Sequence, residues 1–436
     1  MKAVFLTAGA AGMYCGSCMH DNALARALRA ADVDCLLQPV YTPIRTDEQS
    51  IATDNVFFGG IHIYLLQQFP WLRWIPAPLR RTLDWTPLIQ LATRRTHSTD
   101  AAKLGALSVS MLQGVEGYQA EEVQRLTDWI VDDIQPDAVL LTNLLIGGCL
   151  PELRRRLPSA RLVVLLQGDD IFLDHLPAPY HQQAVDLCRA LVTSVDQFVL
   201  NSRFYADKMG TLLKIPEDKI TITPLSIDTG PLESAWNVGK TENSNFRLGY
   251  LARIAPEKGL HNLVDAFVQL ARENSKLTLQ VAGWLGETNQ GYLDEQERKI
   301  DQAGLRDRYE YHGSPDLEQK VRFLKSLDLF SVPTDYEDPK GLFVLEALAA
   351  GVPVVQPQHG AFGELLESTG GGKTYEPGNI QSLCEAIRML LDDQELRRQL
   401  GAAGRQHVLE RHSIKQAAEH MKQILFESDG NEARSC

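Results

Sequence analysis

The sequence predicts an α/β protein built on two doubly wound parallel sheets, and three observations carry that prediction. Short apolar runs alternate with helix-periodic stretches from one end of the chain to the other, the pattern of parallel strands joined by crossover helices. The 436 residues exceed one common α/β domain and suit two of about 200 residues each. Between the halves, residues 229–245 are polar, glycine-bearing and aperiodic, as a linker is. The expected division is residues 1–230, a linker at 231–245, a second domain at 246–410, and a last helix with a frayed tail at 411–436.

In chain order, strands are expected at residues 2–7, 33–40, 137–141, 161–167, 197–200 and 220–223 in the first half. In the second they are expected at 246–251, 276–282, 309–312, 327–332 and 352–356. The first helix is placed at residues 22–30. Gly259 opens a helix after strand 246–251, and residues 342–350 form another, closed by Gly351 with Pro353 just beyond. Ile414, Ala417, Ala418, Met421, Ile424 and Leu425 recur at helical spacing behind Ser413, a suitable N-cap. Ligands of such sheets bind at the carboxyl ends of the strands.

With 44% hydrophobic and 23% charged residues, the chain has the makeup of a soluble globular protein. A net charge of −13 argues against general nucleic-acid binding, since there is no cation excess to displace phosphate counterions. No run of about 18 apolar residues occurs, and the N-terminus enters an apolar strand without a signal-like core, so a cytoplasmic protein is expected. Seven cysteines spread through a long chain do not form a disulfide framework. Cys15 and Cys18 have the spacing of a redox pair or of half a zinc site, with His20 and Cys35 as the further ligands to consider; a loop whose thiols simply pack is the plainer reading.

Two segments carry chemistry. In SVPTDYEDPKGLFVLEALAAGVPVVQP, residues 331–357, Asp338 precedes a glycine turn and Glu346 lies eight positions on, inside the helix. A helix start offers unpaired N–H groups and the positive end of the dipole, so it holds an anion or a sugar hydroxyl without a cation. Upstream, the loop in FRLGYLARIAPEKGLHNLVDAF places Arg253 and Lys258 beside Gly259, between a strand and a helix. A planar guanidinium and a compact ammonium together suit a diphosphate.

The RIAPEKG loop, the acid-x7-acid segment running into EALAAGVPVV, and the LQVAG strand resemble the C-terminal half of retaining nucleotide-sugar glycosyltransferases of GT-B fold, the large family 4, or glycosyl transferases group 1. The resemblance implies two Rossmann-like domains facing a cleft. The N-terminal one is on the acceptor side and the C-terminal one binds the nucleotide sugar, with the last helix returning to the first domain. It implies that Arg253 and Lys258 neutralise the departing diphosphate, that Glu346 holds the ribose hydroxyls, and that Asp338 contacts the sugar. Backbone N–H groups at Gly341, Leu342 and Phe343 would bind sugar or phosphate. The family usually has Glu where Asp338 stands, so Glu337 beside it is a substitute, and Lys340 is a third cation where an aromatic often sits. No cofactor and no metal are implied; the nucleoside-diphosphate sugar is a substrate.

In the first half, Gly12 lies in the glycine-rich loop that, in relatives, abuts the donor diphosphate. Gln167 stands where relatives often carry a histidine reaching the donor sugar; it can accept and donate hydrogen bonds but cannot take on charge. Asp169 and Asp170 follow as candidates for an acceptor hydroxyl or amine. Residues 69–95, headed by Phe69 and ending on Arg95, hold Trp71, Trp74 and Trp85 and several arginines against one acid, Asp84. That makes either a surface insertion with outward arginines or a peripheral membrane contact forming part of an acceptor lid.

The expected function is transfer of a hexose from a UDP- or GDP-type sugar to a sugar, lipid or small-molecule hydroxyl, with retention of configuration. The alternatives are a GT-B nucleotide-sugar epimerase and a redox or binding protein working through Cys15 and Cys18.

Overall fold

The computed structural model describes the chain apart from residues 10–15, 43, 45, 47–49, 54–56, 58–100, 235–244 and 428–436, and apart from the side chains of 101–104. Among the described residues, twelve strands form two six-stranded sheets in which every pairing is parallel.

The first sheet takes β1 (Lys2–Thr7), β2 (Asp34–Pro39), β3 (Ala138–Leu141), β4 (Arg161–Leu165), β5 (Gln197–Leu200) and β6 (Ile220–Ile222), in the order β2-β1-β3-β4-β5-β6. Register follows the apolar runs: Lys2 is opposite Asp34, and Ala3 is opposite both Cys35 and Ala138. Val4, Phe5, Leu6 and all of β3 are fully buried, as expected of strands covered on both faces. Helix α1 (Gly16–Ala30) begins six residues earlier than its apolar periodicity indicates, because its first turns are small and polar and carry no helical signature.

The second sheet takes β7 (Phe246–Leu251), β8 (Leu277–Ala282), β9 (Tyr309–Tyr311), β10 (Leu329–Phe330), β11 (Val354–Pro357) and β12 (Gly372–Tyr375), ordered β12-β11-β10-β7-β8-β9. The edge strand β12 is unforeseen in the sequence: Gly-Lys-Thr-Tyr has no β-branched run, and three of its four residues are only partly buried. Successive strands are added outward from β7 on one side and from its parallel neighbour β10 on the other, so the strand order reverses between them. That reversal is the topological switch point at which sheets of this class bind ligands. Three further helices frame it: α2 (Leu260–Glu273), α3 (Leu317–Ser326) and α4 (Leu342–Ala349). Tyr250, Phe267, Phe330 and Phe362 are the largest side chains fully buried in this unit's core.

The chain divides into two compact units, one of residues 1–201, 206–223 and 418–436, the other of 202–205 and 224–417. The division at 223/224 falls ahead of the polar segment because Leu225, Ile227 and Leu232 are buried in the second unit's core. The last helix, α5 (Ile414–Phe426), lies in the first unit from Ala418 on, where Lys422 donates to the Ala31 carbonyl at 2.7 Å. No described helix is long and apolar enough to cross a membrane.

Candidate active site

At the switch point of the second unit, the loop after β7 carries Arg253 and Lys258, and the loop after β10 carries Asp335 to Gly341. Gly259 lets the two loops touch. Its φ of +72° lies in the left-handed region, and a Cβ there would sit 1.7 Å from the Pro333 carbonyl oxygen. Side chains and amides then stitch the loops together. Asn262 donates to Asp335 at 2.7 Å and to the Pro333 carbonyl at 3.3 Å, and the Asp335 amide donates to the Glu257 carbonyl at 3.1 Å.

The seam brings Lys258 to Asp338. The ammonium donates to Asp338 Oδ2 at 3.0 Å and to the Tyr336 hydroxyl, which in turn donates to Asp338 Oδ2 at 2.7 Å. The other carboxylate oxygen, Oδ1, accepts the amides of Lys340 and Gly341, each at 3.0 Å. Asp338 is buried at 4% exposure. Burial alone would raise its carboxyl; the Lys258 charge, the Tyr336 hydroxyl and the Lys340 amide outweigh it and hold the carboxyl down at about 2.

Gly341, at φ +81°, turns the chain into α4. The amides of Leu342 and Phe343 are then in the helix's first turn, which has no carbonyl one turn before it. Phe343 closes one side of the site, with the Lys258 ammonium 5.5 Å from its ring centroid. One turn into α4, Glu346 pairs with Lys320 of α3 at 2.9 Å; the two side chains are 21% and 15% exposed. Arg253 is paired with Glu257 and is about as exposed as it, at 39% against 43%. Glu337 is exposed and Lys340 half-buried on the same loop. The structure therefore brings Arg253, Lys258, Glu337, Asp338, Lys340, Gly341, Leu342, Phe343 and Glu346 to one end of one sheet. At the end of β9, Tyr311 donates to the Gly283 carbonyl at 2.8 Å, and the Gly283 amide donates to the Gly313 carbonyl at 2.8 Å.

Two partners escaped the sequence reading. Tyr336 and Lys320 each meet their target through tertiary pairing, at separations of 78 and 26 residues, and no local spacing announces such contacts.

In the first unit, Gln167 follows β4 and is buried. Its amide nitrogen donates to Asp21 Oδ1 at 2.8 Å, and Thr7 donates to Asp21 Oδ2 at 2.7 Å. Asp169 accepts the amides of Leu144 at 2.7 Å and Gln167 at 3.2 Å. Burial raises its carboxyl to about 7, with those two amides opposing the rise. Asp170 pairs with Lys208 at 2.9 Å. Both acids thus have partners within the protein, at the start of the short helix Asp169–Asp174. Gly12, Cys15 and residues 69–95 lie outside the described residues. Cys18 is buried in α1, and burial pushes the Cys35 thiol up to about 12, so it is held as the neutral thiol. Among the described residues no group of three or more His, Cys, Asp or Glu could hold a metal ion.

Residues 235–407 match the family model described as glycosyl transferases group 1. The chain is 30% identical over 218 residues to the glycogen synthase of Mycobacterium tuberculosis, covering 50% of this chain and 51% of that protein. It is 25% identical over 252 residues to the capsular polysaccharide biosynthesis glycosyltransferase CapM of Staphylococcus aureus, covering 55% and 62%. The chain thus spans about half the length of the curated relatives it matches. Among solved structures, sucrose-phosphate synthase from Thermosynechococcus elongatus superposes with a TM-score of 0.70 at 16% identity, covering 97% of this chain and 98% of that one. Anabaena HepE superposes with a TM-score of 0.65 at 18% identity, covering 98% and 99%. At such identities the likeness establishes the fold. The chain thus has the GT-B fold, and its second unit holds the segment that matches the glycosyl transferases group 1 model.

Proposed function

We propose that the protein is a glycosyltransferase that moves a hexosyl group from a nucleoside-diphosphate sugar to a hydroxyl acceptor with retention of configuration. The observation that carries this reading is the seam at the switch point, where Lys258 is held beside the opening turn of α4. A cation and a helix N-terminus facing one spot are a diphosphate site without a metal. UDP is the first donor nucleotide to test, because HepE, which shares the fold, was crystallised with UDP and with UDP-glucose.

In the proposed reaction the bond from the sugar C1 to the phosphate oxygen breaks and a bond from C1 to the acceptor oxygen forms. The acceptor proton passes to the departing phosphate oxygen, and the nucleoside diphosphate leaves. Lys258 and Arg253 stabilise the charge that grows on that diphosphate, Glu346 takes the ribose hydroxyls, and the amides of Leu342 and Phe343 bind sugar or phosphate oxygens, whereas the Gly341 amide, expected from the sequence to join them, is already given to Asp338 Oδ1. Residues 69–95, read from sequence alone, would serve the acceptor side at an anionic membrane surface; failure to co-sediment with anionic liposomes at low salt would remove that part.

Thermal-shift screening against UDP, GDP, ADP and their hexoses tests the reading, since a ligand bound only by the folded state raises the melting temperature. At least one diphosphate is expected to raise it where its nucleoside does not. Incubation with the matched donor alone separates transfer from epimerisation: an epimer formed without acceptor would overturn the proposal.

A further inference from the structure

A carboxylate has about four acceptor positions, and Asp338 has committed them all. Oδ1 takes two backbone amides, while Oδ2 takes the Tyr336 hydroxyl and the Lys258 ammonium. A sugar hydroxyl could bind this carboxylate only by displacing one of those donors in a buried setting, where an orphaned partner is costly. The aspartate is also a methylene shorter than the glutamate usual in the resembled family, and its backbone is pinned from the other side, since its carbonyl accepts the Ala361 amide at 2.9 Å.

The ammonium of Lys258 is constrained to match. It has three N–H bonds, of which one goes to Tyr336 and one to Asp338. The Tyr336 and Phe343 ring centroids lie 4.8 and 5.5 Å from it, and its side chain is 16% exposed. Two fixed partners and the Phe343 ring leave one N–H direction open. The negative charge of Asp338, meanwhile, is shared among four donors. Lysine has a long, flexible stem that in water samples many rotamers, so holding it in advance removes an ordering cost from ligand binding.

We propose that Asp338 and Tyr336 are positioning residues that aim the remaining N–H of Lys258 at the donor's diphosphate, and that Asp338 does not touch the sugar. The inference rests on the reading of this site as a diphosphate site. It changes what each substitution should do. If Asp338 serves Lys258, its loss weakens a nucleoside diphosphate that has no sugar at all. If it serves the sugar, that ligand is indifferent to it.

The experiment is calorimetric titration of wild type, Tyr336→Phe, Asp338→Asn and Lys258→Ala with UDP, GDP and ADP, with the three parent nucleosides, and with the corresponding diphosphate hexoses. Melting temperatures check each variant's fold. Tyr336→Phe keeps the ring and removes only the hydroxyl, so it is expected to weaken the diphosphate about five-fold. Its effect should be the same with and without the hexose, and nucleoside affinity should be unchanged. A general structural defect would weaken nucleoside and diphosphate together, and that result overturns the proposal. So does an unchanged diphosphate affinity in Tyr336→Phe, or a loss in Asp338→Asn confined to the hexose-bearing ligands. Should Asp338→Asn fail to fold, Tyr336→Phe decides alone. If Lys258→Ala binds the diphosphates as tightly as wild type, the diphosphate-site reading itself falls, a result distinct from the others.

Discussion

Lys258 and Asp338 stand eighty positions apart in the chain and meet at 3.0 Å in the fold. Two facts of topology bring them together: β7 and β10 are neighbours, and a glycine at 259 lets the loops that leave them come into contact. The pair is a product of the switch point, and so is the site built round it.

Lys258→Ala and Glu346→Ala are each expected to reduce turnover of a verified donor by at least about a hundred-fold, the scale set by losing a charged group from a transition-state site. Steady-state assays with circular dichroism as a check on folding measure it. Near-normal rates in both variants would refute the assignment of these residues.

In the proposed reaction Glu346 takes the ribose hydroxyls of the nucleotide. Glu346→Gln should lower the preference for a ribonucleoside diphosphate over its 2′-deoxy analogue by about ten-fold, the size of a hydrogen bond to a charged acceptor. Lys320→Met should lower it by a smaller factor, because Lys320 acts through Glu346, one of whose carboxylate oxygens it holds at 2.9 Å. Paired titrations of the two nucleotides settle both; an unaltered preference in Glu346→Gln would contradict the role.

Gly259→Ala should destabilise the protein. A left-handed backbone costs a non-glycine residue about 1–2 kcal/mol, and the added Cβ would lie 1.7 Å from the Pro333 carbonyl oxygen, forcing the loops apart. Denaturant unfolding should show the larger loss that both terms require. A change under about 0.5 kcal/mol, typical of a neutral surface site, would mean that the contact does not matter.

Much of this was legible beforehand. β1, β5 and β7 are apolar runs bounded by turns, and their observed bounds coincide with those read from the sequence. The helix following Gly341 was likewise legible from its glycine start and its Gly351 end. β12 and the first turns of α1 were not, since a sheet edge and a small-residue helix start are shaped by their neighbours and carry little periodicity of their own. At the site, the residue types in the two loops announce phosphate and hydroxyl chemistry. Which carboxylate oxygen faces whom is a tertiary fact, and it redirects Asp338 from the sugar toward Lys258.

Acid should reveal the same ion pair. The Asp338 carboxyl lies at about 2 in the folded protein, against an ordinary value of 3.8. A depressed carboxyl contributes stability that is present above the unfolded value and is lost as pH falls through the folded one, here on the order of 2 kcal/mol. The stability gap between wild type and Asp338→Asn should therefore narrow from about pH 4 down to about pH 2 and stay flat above pH 5. Chemical denaturation across that range measures it, and a gap that does not vary with pH would contradict the pairing.

A nucleoside diphosphate bound against Lys258 at the start of α4 would report the contact through its own phosphorus nuclei, which 31P NMR reads. Titrating the wild type into the diphosphate that binds best should shift the β-phosphorus resonance more than the α. In Lys258→Ala at matched occupancy the β shift should largely vanish. A β resonance that moves equally in both proteins, or in neither, would contradict the account.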